Sequence, residues 1–270
     1  MLRAFAAPPN AWIRIANYCN QTIAIAETDV RKLRHDPWEL FTRMVQPMLW
    51  LLIFGEVFTR THAIPTGSLS YLDFITPGIL AQSVLFVAIF YGVSVIWERD
   101  LGILHKLLVS PTPRSALVLG RALSSGVRGL SQGIVVFAIA ATLGVDLKFS
   151  FGSVAGIIVA IMLGAATFST FSLIAACIVK TRERFMGIGQ VLTMPLFFAS
   201  NAIYPIDMMP AWLRHVASVN PLSYEVDALR ALMINGGVSL FGLGTDFVVQ
   251  VAALAILVAI ATKIYPTLVR

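Results

Sequence analysis

The sequence has few cysteines and lacks the common motifs of nucleotide and metal chemistry. Its two cysteines, Cys19 and Cys177, lie far apart and form no C-x-x-C pair, so neither a disulfide nor a thiolate metal site is expected. No G-x-x-x-x-G-K-[ST] run occurs, so the chain has no P-loop for nucleotide phosphates. Its four histidines are isolated and make no H-E-x-x-H motif. We therefore expect a non-catalytic chain that binds no metal and no cofactor itself.

Charged residues are scarce as well. They make up 13% of the chain, against about 25% in soluble domains, whereas hydrophobic residues make up 57% and the mean hydropathy is +0.81. This composition predicts an integral membrane protein in contact with membrane lipids. The net charge of +6 could suggest nucleic acid. However, the sequence has no interleaved basic and aromatic runs, so we expect no nucleic-acid partner.

Acidic residues are nearly absent from the middle of the apolar segments. This distribution argues against a proton relay within the membrane and weakens the case for an ion-coupled transporter. Glu225 and Asp227 are two residues apart, so on a helix they do not face each other. We expect these two carboxylates on a solvated helix face outside the membrane rather than in acid–base catalysis.

Six apolar segments are each long enough to cross a hydrocarbon core, which needs roughly 20 residues. We predict an all-α protein with a cytoplasmic N-terminus over residues 1–40, which includes an amphipathic interfacial helix, and a six-span transmembrane domain over residues 41–270. Pro47 and Pro195 lie inside the first and fifth segments, either as functional bend points or as ordinary helix kinks. The predicted spans are 41–59, 73–97, 119–143, 152–179, 186–204 and 245–265.

The N-terminal region has the pattern of an interfacial helix over residues 21–39. One face is apolar and the opposite face is charged, with basic side chains at Arg31, Lys32 and Arg34. Pro37 should end the helix, because proline lacks an amide proton and its ring clashes with the preceding turn. A solvated linker helix is the alternative interpretation.

A second amphipathic segment lies between the second and third spans. Its leucines repeat at helical spacing, its acidic residues lie near the start and its basic residues near the end, as the helix dipole favours. Prolines at positions 111 and 113 stop the pattern. We predict a short helix, called the coupling helix below, that projects into the aqueous compartment and binds another protein. Its candidate contact residues are Glu98, Arg99, Asp100, Leu101, Leu104, Lys106 and Leu108.

Basic residues indicate the orientation. Sixteen of the twenty lysines and arginines fall on the side of the N-terminus and the coupling helix. By the positive-inside rule, both termini and the coupling helix are predicted to be cytoplasmic.

Several polar residues fall near or within the predicted spans. Arg128 and Glu56 have two interpretations each, either interfacial placement with the charge reaching the headgroups or a position facing a polar pathway. Glutamines in the spans are expected to make interhelical hydrogen bonds rather than ligand contacts. These glutamines are Gln46, Gln82, Gln132 and Gln190.

The connection between the fifth and sixth spans, residues 205–243, is too long for a turn and half apolar. We predict two short helices there. The first has an apolar face from Trp212 to Val219, and the second is capped by Ser223. Both should lie in the outer membrane interface or re-enter the membrane, where irregular backbone is tolerated only if protein or water surrounds it.

Two stretches have the pattern of a known family. The first, ERDLGILHKLLVSP from Glu98 to Pro111, is similar to E-R-[DE]-x-G-T-[LM]-x-x-L-x-x-[ST]-P, with Ile103 in place of the usual threonine. The second runs from Thr193 to Arg230. Together they resemble the permease subunits of ABC-2 type exporters, nearest the daunorubicin-resistance and nodulation lipooligosaccharide-export branch. The signature residues in the second stretch are Met209, Pro210, Pro221, Tyr224 and Arg230.

The resemblance implies a plasma (inner) membrane permease of a prokaryote that works as a homodimer or with a closely related permease. A separate ABC ATPase subunit would hold ATP and Mg, and the coupling helix would dock on it with the interfacial helix alongside. A drug-like or lipid-linked glycan substrate would pass between the two permeases, along the first, second and fifth spans and under a lid of outer helices. An ion-coupled secondary transporter with no ATPase partner is the alternative function.

Overall fold

A computed structural model of the chain describes residues 11–34, 45–61, 64–67, 69–103, 112–179 and 181–266, and within 11–34 the side chains of 11–16, 28–30 and 32–34 are not described. These residues form nine long or short helices named below, a 3-10 turn at Ile206–Met208 and no strand. The helices are α1 (Ala11–Arg34), α2 (45–61, with a π-helical stretch at Trp50–Gly55), α3 (Tyr71–Asp100), α4 (Arg114–Thr142), α5 (Phe151–Ile178), α6 (Arg182–Phe198), α7 (Ala211–Val219), α8 (Pro221–Met233) and α9 (Leu243–Ile264).

Helices α3 and α5 form the centre of the bundle. Four helices, α3, α4, α5 and α9, are long and apolar enough to cross a membrane, and they correspond to the second, third, fourth and sixth predicted spans. In its most apolar stretch, α3 has 78% of its residues buried, whereas α9 has only 11%. The apolar face of α9 therefore lies on the outside of the bundle, where lipid can cover it.

Close helix packing depends on small residues at the contacts. Gly126 and Gly133 of α4 face Met162 and Ile161 of α5, and a Cβ on either glycine would lie within 3.0 Å of those side chains. Such small residues let helix backbones approach, and van der Waals contact then replaces the hydrophobic effect that lipid cannot supply. The Ser172 hydroxyl of α5 also donates a hydrogen bond to a carbonyl of α3.

Helix α1 packs along the first half of α4. A Cβ on Gly120 of α4 would lie 2.8 Å from the side chain of Ile25, which shows how closely the two helices approach. The helix begins at Ala11, ten residues before the predicted start, and its described part ends at Arg34. The sequence pattern missed this first part because it is too mixed to show a clear apolar face.

Helices α2 and α6 cover parts of the first and fifth predicted spans. The described part of α2 starts at residue 45, and the π-helical stretch after Pro47 was not predicted. Helix α6 ends at Phe198, six residues before the predicted end of the fifth span, and includes Pro195. With 17 residues it is shorter than the four helices described above.

The end of the bundle opposite Glu98, called the outer end below, contains the two predicted short helices, α7 and α8. Asn220, not Ser223, caps α8: its side-chain oxygen accepts a hydrogen bond of 3.0 Å from the backbone N–H of Leu222. The prediction was wrong because Pro221 is preorganised for the first helical position, which places the cap one residue before it. Ser223 is instead fully buried within the helix.

We predict that Gly78 is essential for packing at the outer end of α3. A Cβ at this position would lie 2.3 Å from the backbone oxygen of Ala202, so Gly78→Ala should lower the free energy of unfolding by about 1–3 kcal/mol. The matched control is Gly152→Ala in α5, where nothing lies within 4 Å. Thermal unfolding of the detergent-purified protein measures both, and equal stability of the two variants would contradict the prediction.

Candidate functional site at the two ends of the bundle

A buried ion pair closes the end of the bundle at which α3 ends and α4 begins. Glu98, in the last turn of α3, accepts a hydrogen bond from the guanidinium of Arg121 in α4. Only 9% of Glu98 and 5% of Arg121 are exposed. Tyr265, just after α9, is fully buried in an apolar cluster with Leu117 of α4. The pair therefore fixes the distance between the two helices that enter and leave the coupling segment.

A second, exposed network joins the same end of α3 to α6. The carboxylate of Asp100 accepts hydrogen bonds from Arg99 at 3.0 Å and from Arg182, the first residue of α6, at 2.9 Å. The Arg182 guanidinium also lies 4.0 Å from the ring centroid of Trp97, a cation–π contact. The end of α3 is thus linked to α4 through Glu98 and to α6 through Asp100.

The structure places Glu98, Arg99 and Asp100 in the last turn of α3, and not at the start of a separate coupling helix as predicted. The chain leaves α3 at Leu101 and Gly102, and the φ of Gly102 is +70°. Glu98 is buried against Arg121 and cannot lie on the predicted exposed contact surface, whereas Leu101 is 67% exposed. The remaining candidate contacts, Leu104, Lys106 and Leu108, lie outside the described residues.

At the N-terminus, the predicted basic face is described only at Arg31. Its guanidinium donates to Glu27 at 2.7 Å, and both side chains are largely exposed. Lys32 and Arg34 lie on the same helix, but their side chains are outside the described part of the chain.

At the outer end, Arg230 of α8 connects three parts of the chain. Its guanidinium lies 3.9 Å from the ring centroid of Phe74 in α3 and donates to the backbone oxygen of Asn201 at 2.8 Å. Burial lowers the pKa of Arg230 to about 10, and the negative charge of Asp227 opposes that shift. The guanidinium is therefore charged at neutral pH, held by backbone dipoles and a nearby acid.

The other signature residues organise the turns around α7 and α8. Pro210 precedes α7 and Pro221 starts α8, both positions where a missing amide proton costs nothing. Met209 is buried beside α7, and the Tyr224 hydroxyl donates to the backbone oxygen of Ser218 at 2.6 Å. The amide of Asn220 donates to two carbonyls at the end of α6, those of Leu196 and Ala199. These contacts hold the outer helices against the bundle.

The two acidic residues of α8 are buried, contrary to the expectation of a solvated face. Asp227 accepts hydrogen bonds of 3.0 Å from the Ser239 hydroxyl and the Phe241 backbone N–H. Glu225 is fully buried against Gly164 of α5, and within the described part of the chain neither oxygen of its carboxyl group has a hydrogen-bond partner. Burial raises the pKa of the Glu225 carboxyl well above its usual range. Spacing along the sequence could not reveal this burial, because it depends on the docking of α8 onto α5.

The residues proposed for a pathway or hinge do not form one cluster. Glu56 is exposed near the outer end of α2 and pairs with Arg60 at 2.8 Å, while the Arg128 guanidinium lies 5.0 Å from the ring centroid of Tyr91 in α3. Pro47 is buried within α2. Pro195 lines an apolar cavity of about 660 Å³ formed mainly by α6, α7 and the start of α8.

An all-helical bundle of long apolar helices, with charged groups paired at both ends, defines the class of integral membrane proteins. Within that class, residues 20–234 match the family model described as ABC-2 type transporter, and the chain belongs to that family. The family assignment expected from the two sequence stretches is therefore confirmed.

Relatives of the chain include several transport permeases. It is 30% identical over 203 residues to the putative transport permease ycf38 of Cyanophora paradoxa, covering 74% of this chain and 70% of the relative. It is 25% identical over 239 residues to the daunorubicin resistance ABC transporter permease protein DrrB1 of Streptomyces coeruleorubidus, covering 86% and 81%. The probable multidrug ABC transporter permease YbhR of Escherichia coli K12 is 27% identical over 169 residues, covering 62% and 45%.

We predict that the buried pair Glu98–Arg121 is needed for stability. Glu98→Leu or Arg121→Met should each lower the free energy of unfolding by about 3–5 kcal/mol, because each leaves a buried charge without its partner. Combining Glu98→Leu with Arg121→Met should recover most of the loss. Thermal unfolding measures this, with Glu27→Gln, which breaks the exposed pair to Arg31, as the neutral control. Additive losses in the double variant would contradict the prediction.

We also predict a pH dependence that originates at Glu225. Because its pKa is raised in the folded state, the folded chain holds a proton that the unfolded chain releases above its ordinary pKa. Stability should therefore decline as pH rises above about 4.5, by up to about 1.4 kcal/mol per pH unit. Glu225→Gln should flatten this decline in unfolding temperatures measured from pH 5 to 9, and an unchanged slope would contradict the assignment. Glu56→Gln, at an exposed acid, is the control.

Proposed function

We propose that this chain is the transmembrane permease subunit of an ATP-driven exporter. It would move an amphipathic drug-like or lipid/glycan substrate out of the cytoplasm or the inner leaflet. Membership of the ABC-2 type transporter family supports a role in transport, and two relatives are named for daunorubicin resistance and multidrug transport. The chain itself carries no catalytic site in this proposal.

The proposed topology has six spans, with α2 and α6 as the first and fifth, and with both termini in the cytoplasm of a prokaryotic cell. The excess of basic residues on the side of the N-terminus and coupling segment supports this orientation. In that arrangement α7 and α8 lie on the outer side, and residues 41–270 form the transmembrane domain. The proposed divide at residue 40 separates the N-terminal helix from the spans.

The proposed partner is a separate ABC ATPase subunit that holds ATP and Mg and contacts the coupling segment. The observation that supports it most is the double connection at the end of α3. Glu98 pairs with Arg121 of α4, and Asp100 pairs with Arg182 of α6. A force applied to the residues that follow Leu101 would therefore be transmitted to α4 and α6 as well as to α3. This is the property required of an element that transmits work from nucleotide hydrolysis.

The proposed substrate route lies between two copies of the chain, or between this chain and a closely related permease. Helix α6 contacts mainly α3 and, less extensively, α5, and it leaves apolar side chains such as Met186 and Val191 exposed. Val216 and Val219 of α7 are exposed beside it. An apolar face of this kind on the same side as the 660 Å³ cavity suits a protein interface. Pro47 and Pro195 remain candidate bend points in the moving helices.

The ATPase contact is tested by comparing two exposed leucines. Leu101→Asp, at the start of the coupling segment, should reduce co-purification of the co-expressed ATPase subunit by about tenfold or more, because it places a charge in an apolar contact. Leu240→Asp, at an exposed leucine near the outer end, should leave co-purification unchanged. Equal capture by both variants would exclude the proposed contact at Leu101.

The alternative, ion-coupled transport, is favoured by one observation: the carboxyl of Glu225 is buried and has no hydrogen-bond partner in the part of the chain that the structure describes. The two functions differ in their energy source. Proteoliposomes with the permease and its ATPase subunit should export a fluorescent daunorubicin probe only with ATP, and an uncoupler should have no effect. Uphill transport by the permease alone, abolished by an uncoupler and by Glu225→Gln, would instead establish ion coupling.

A further inference from the structure

One hydroxyl group at the outer end of the bundle lies between two carboxyl groups. The Ser239 hydroxyl is 3.0 Å from Oδ2 of Asp227 in α8 and 2.8 Å from Oδ2 of Asp246 in the first turn of α9. A serine hydroxyl carries a single proton, so it can donate to only one of these two oxygens. The other carboxyl group therefore needs a proton of its own, which it donates to the serine oxygen.

The surroundings of the two acids differ in what they favour. Oδ2 of Asp227 also accepts a hydrogen bond of 3.0 Å from the backbone N–H of Phe241, and the same carboxylate interacts with the positive charge of Arg230. Asp246 is fully buried, and nothing in the described part of the chain bonds its Oδ1. Donors and a counter-charge stabilise a carboxylate, whereas an apolar environment favours the neutral acid. These surroundings favour an ionised Asp227 and a neutral Asp246.

The elements packed against Asp246 hold few other titratable groups. Asp227 is the acid whose charge acts on it. Residues 234–242 contain no titratable side chain, and α5 has only Cys177, at its opposite end. On α8, the carboxyl of Glu225 faces Gly164 of α5, and the Tyr224 hydroxyl is bonded to a backbone oxygen. The remaining charged groups of α4 and α9 lie between the middle of the bundle and its Glu98 end: Arg114, Arg121, Arg128 and Lys263.

The junction also attaches the outer half of α9 to the bundle. In this helix only Asp246, Gln250 and Ala261 are buried. Asp246 and Gln250 are one turn apart and share a face, but neither amide atom of Gln250 has a hydrogen-bond partner among the described residues. Within that part of the chain, the bond between Asp246 and Ser239 is the one side-chain hydrogen bond that joins α9 to another element.

A cavity at the outer end gives protons a route to this junction. Its volume is about 280 Å³, and its wall includes Asp227 and Arg230 of α8. Val238 and Leu240, the neighbours of Ser239 in the chain, line it as well. Asp227 is therefore the member of the carboxyl pair that faces the cavity, and a proton can pass from there through Ser239 to Asp246.

We propose that Asp246 binds a proton and that this proton latches α9 to α8. In the closed latch Asp246 donates to Ser239, and Ser239 donates to Asp227. Loss of the proton leaves two carboxylates on one hydroxyl, and their repulsion in a buried site separates the outer half of α9 from α8. The latch is closed at acidic and neutral pH and opens as the pH rises. A metal ion is not the ligand, since the described residues contain no group of three acidic, histidine or cysteine side chains that could hold one.

Infrared spectroscopy of the protein in lipid nanodiscs tests the protonation of Asp246. Aspartate labelled with ¹³C at the side-chain carboxyl shifts its C=O band away from that of glutamate, so Glu225 does not interfere. At a pH of about 6, where exposed aspartates are ionised, we expect one shifted band of a neutral carboxyl, which disappears at higher pH. Asp246→Asn should lack the band, and Asp207→Asn, at an exposed acid, should keep it. A labelled chain without the band, or a band that persists in Asp246→Asn, would overturn the proposal.

Hydrogen exchange tests the latch itself. The exchange rate of residues 240–250, divided by the intrinsic rate at each pH, should rise about tenfold per pH unit once the neutral band begins to disappear, because the open form grows in that proportion. In Asp246→Asn the corrected rate should stay low at every pH, because the amide donates to Ser239 as the neutral acid does. Asp207→Asn should behave like the original chain. A corrected rate that stays constant in the original chain while the infrared band titrates would refute the latch, whether or not the variants fold.

Discussion

The requirement that charges within a membrane bundle be paired governs this structure, and the clearest case is Glu98 with Arg121. A buried guanidinium or carboxylate alone would be strongly unfavourable, so the two can be accommodated only where α3 and α4 meet. Their pairing thereby fixes the spacing of the helices on either side of the coupling segment. Asp100 and Arg182 extend the constraint to α6 through an exposed contact. These two ion pairs thus connect α3, α4 and α6 at one end of the bundle.

At the outer end, buried polar side chains are also satisfied, but by backbone carbonyls rather than by a side chain of opposite charge. Arg230 is held by backbone oxygens of α3 and of the turn after α6, and the amide of Asn220 satisfies two carbonyls at the end of α6. Arg230 and Asn220 therefore have a structural role, because they satisfy backbone carbonyls of α3 and at the end of α6. Among the described residues, Glu225 is one of the buried residues whose side-chain polar atoms have no hydrogen-bond partner.

Much of the fold could be predicted from local patterns. The lengths of the apolar runs gave the helices α3, α4, α5 and α9 within a few residues, because twenty apolar residues have few alternatives in a membrane. The short outer helices were also predictable, apart from the cap at Asn220. The burial of Glu98 could not be predicted from the sequence, since its partner Arg121 lies 23 residues away on another helix. Only the packing of α3 against α4 shows that this acid faces inward.

Sequence by itself determined the class of protein, the family and the positions of the main helices, because hydropathy and motif spacing are properties of consecutive residues. It could not assign the partners of Arg121, Arg182 and Arg230, nor the burial of Glu225. Tertiary structure alone decided those, since each depends on which helix faces which. The contact of Ser239 with both Asp227 and Asp246 has the same origin: the three side chains meet only after α8 and α9 have packed together.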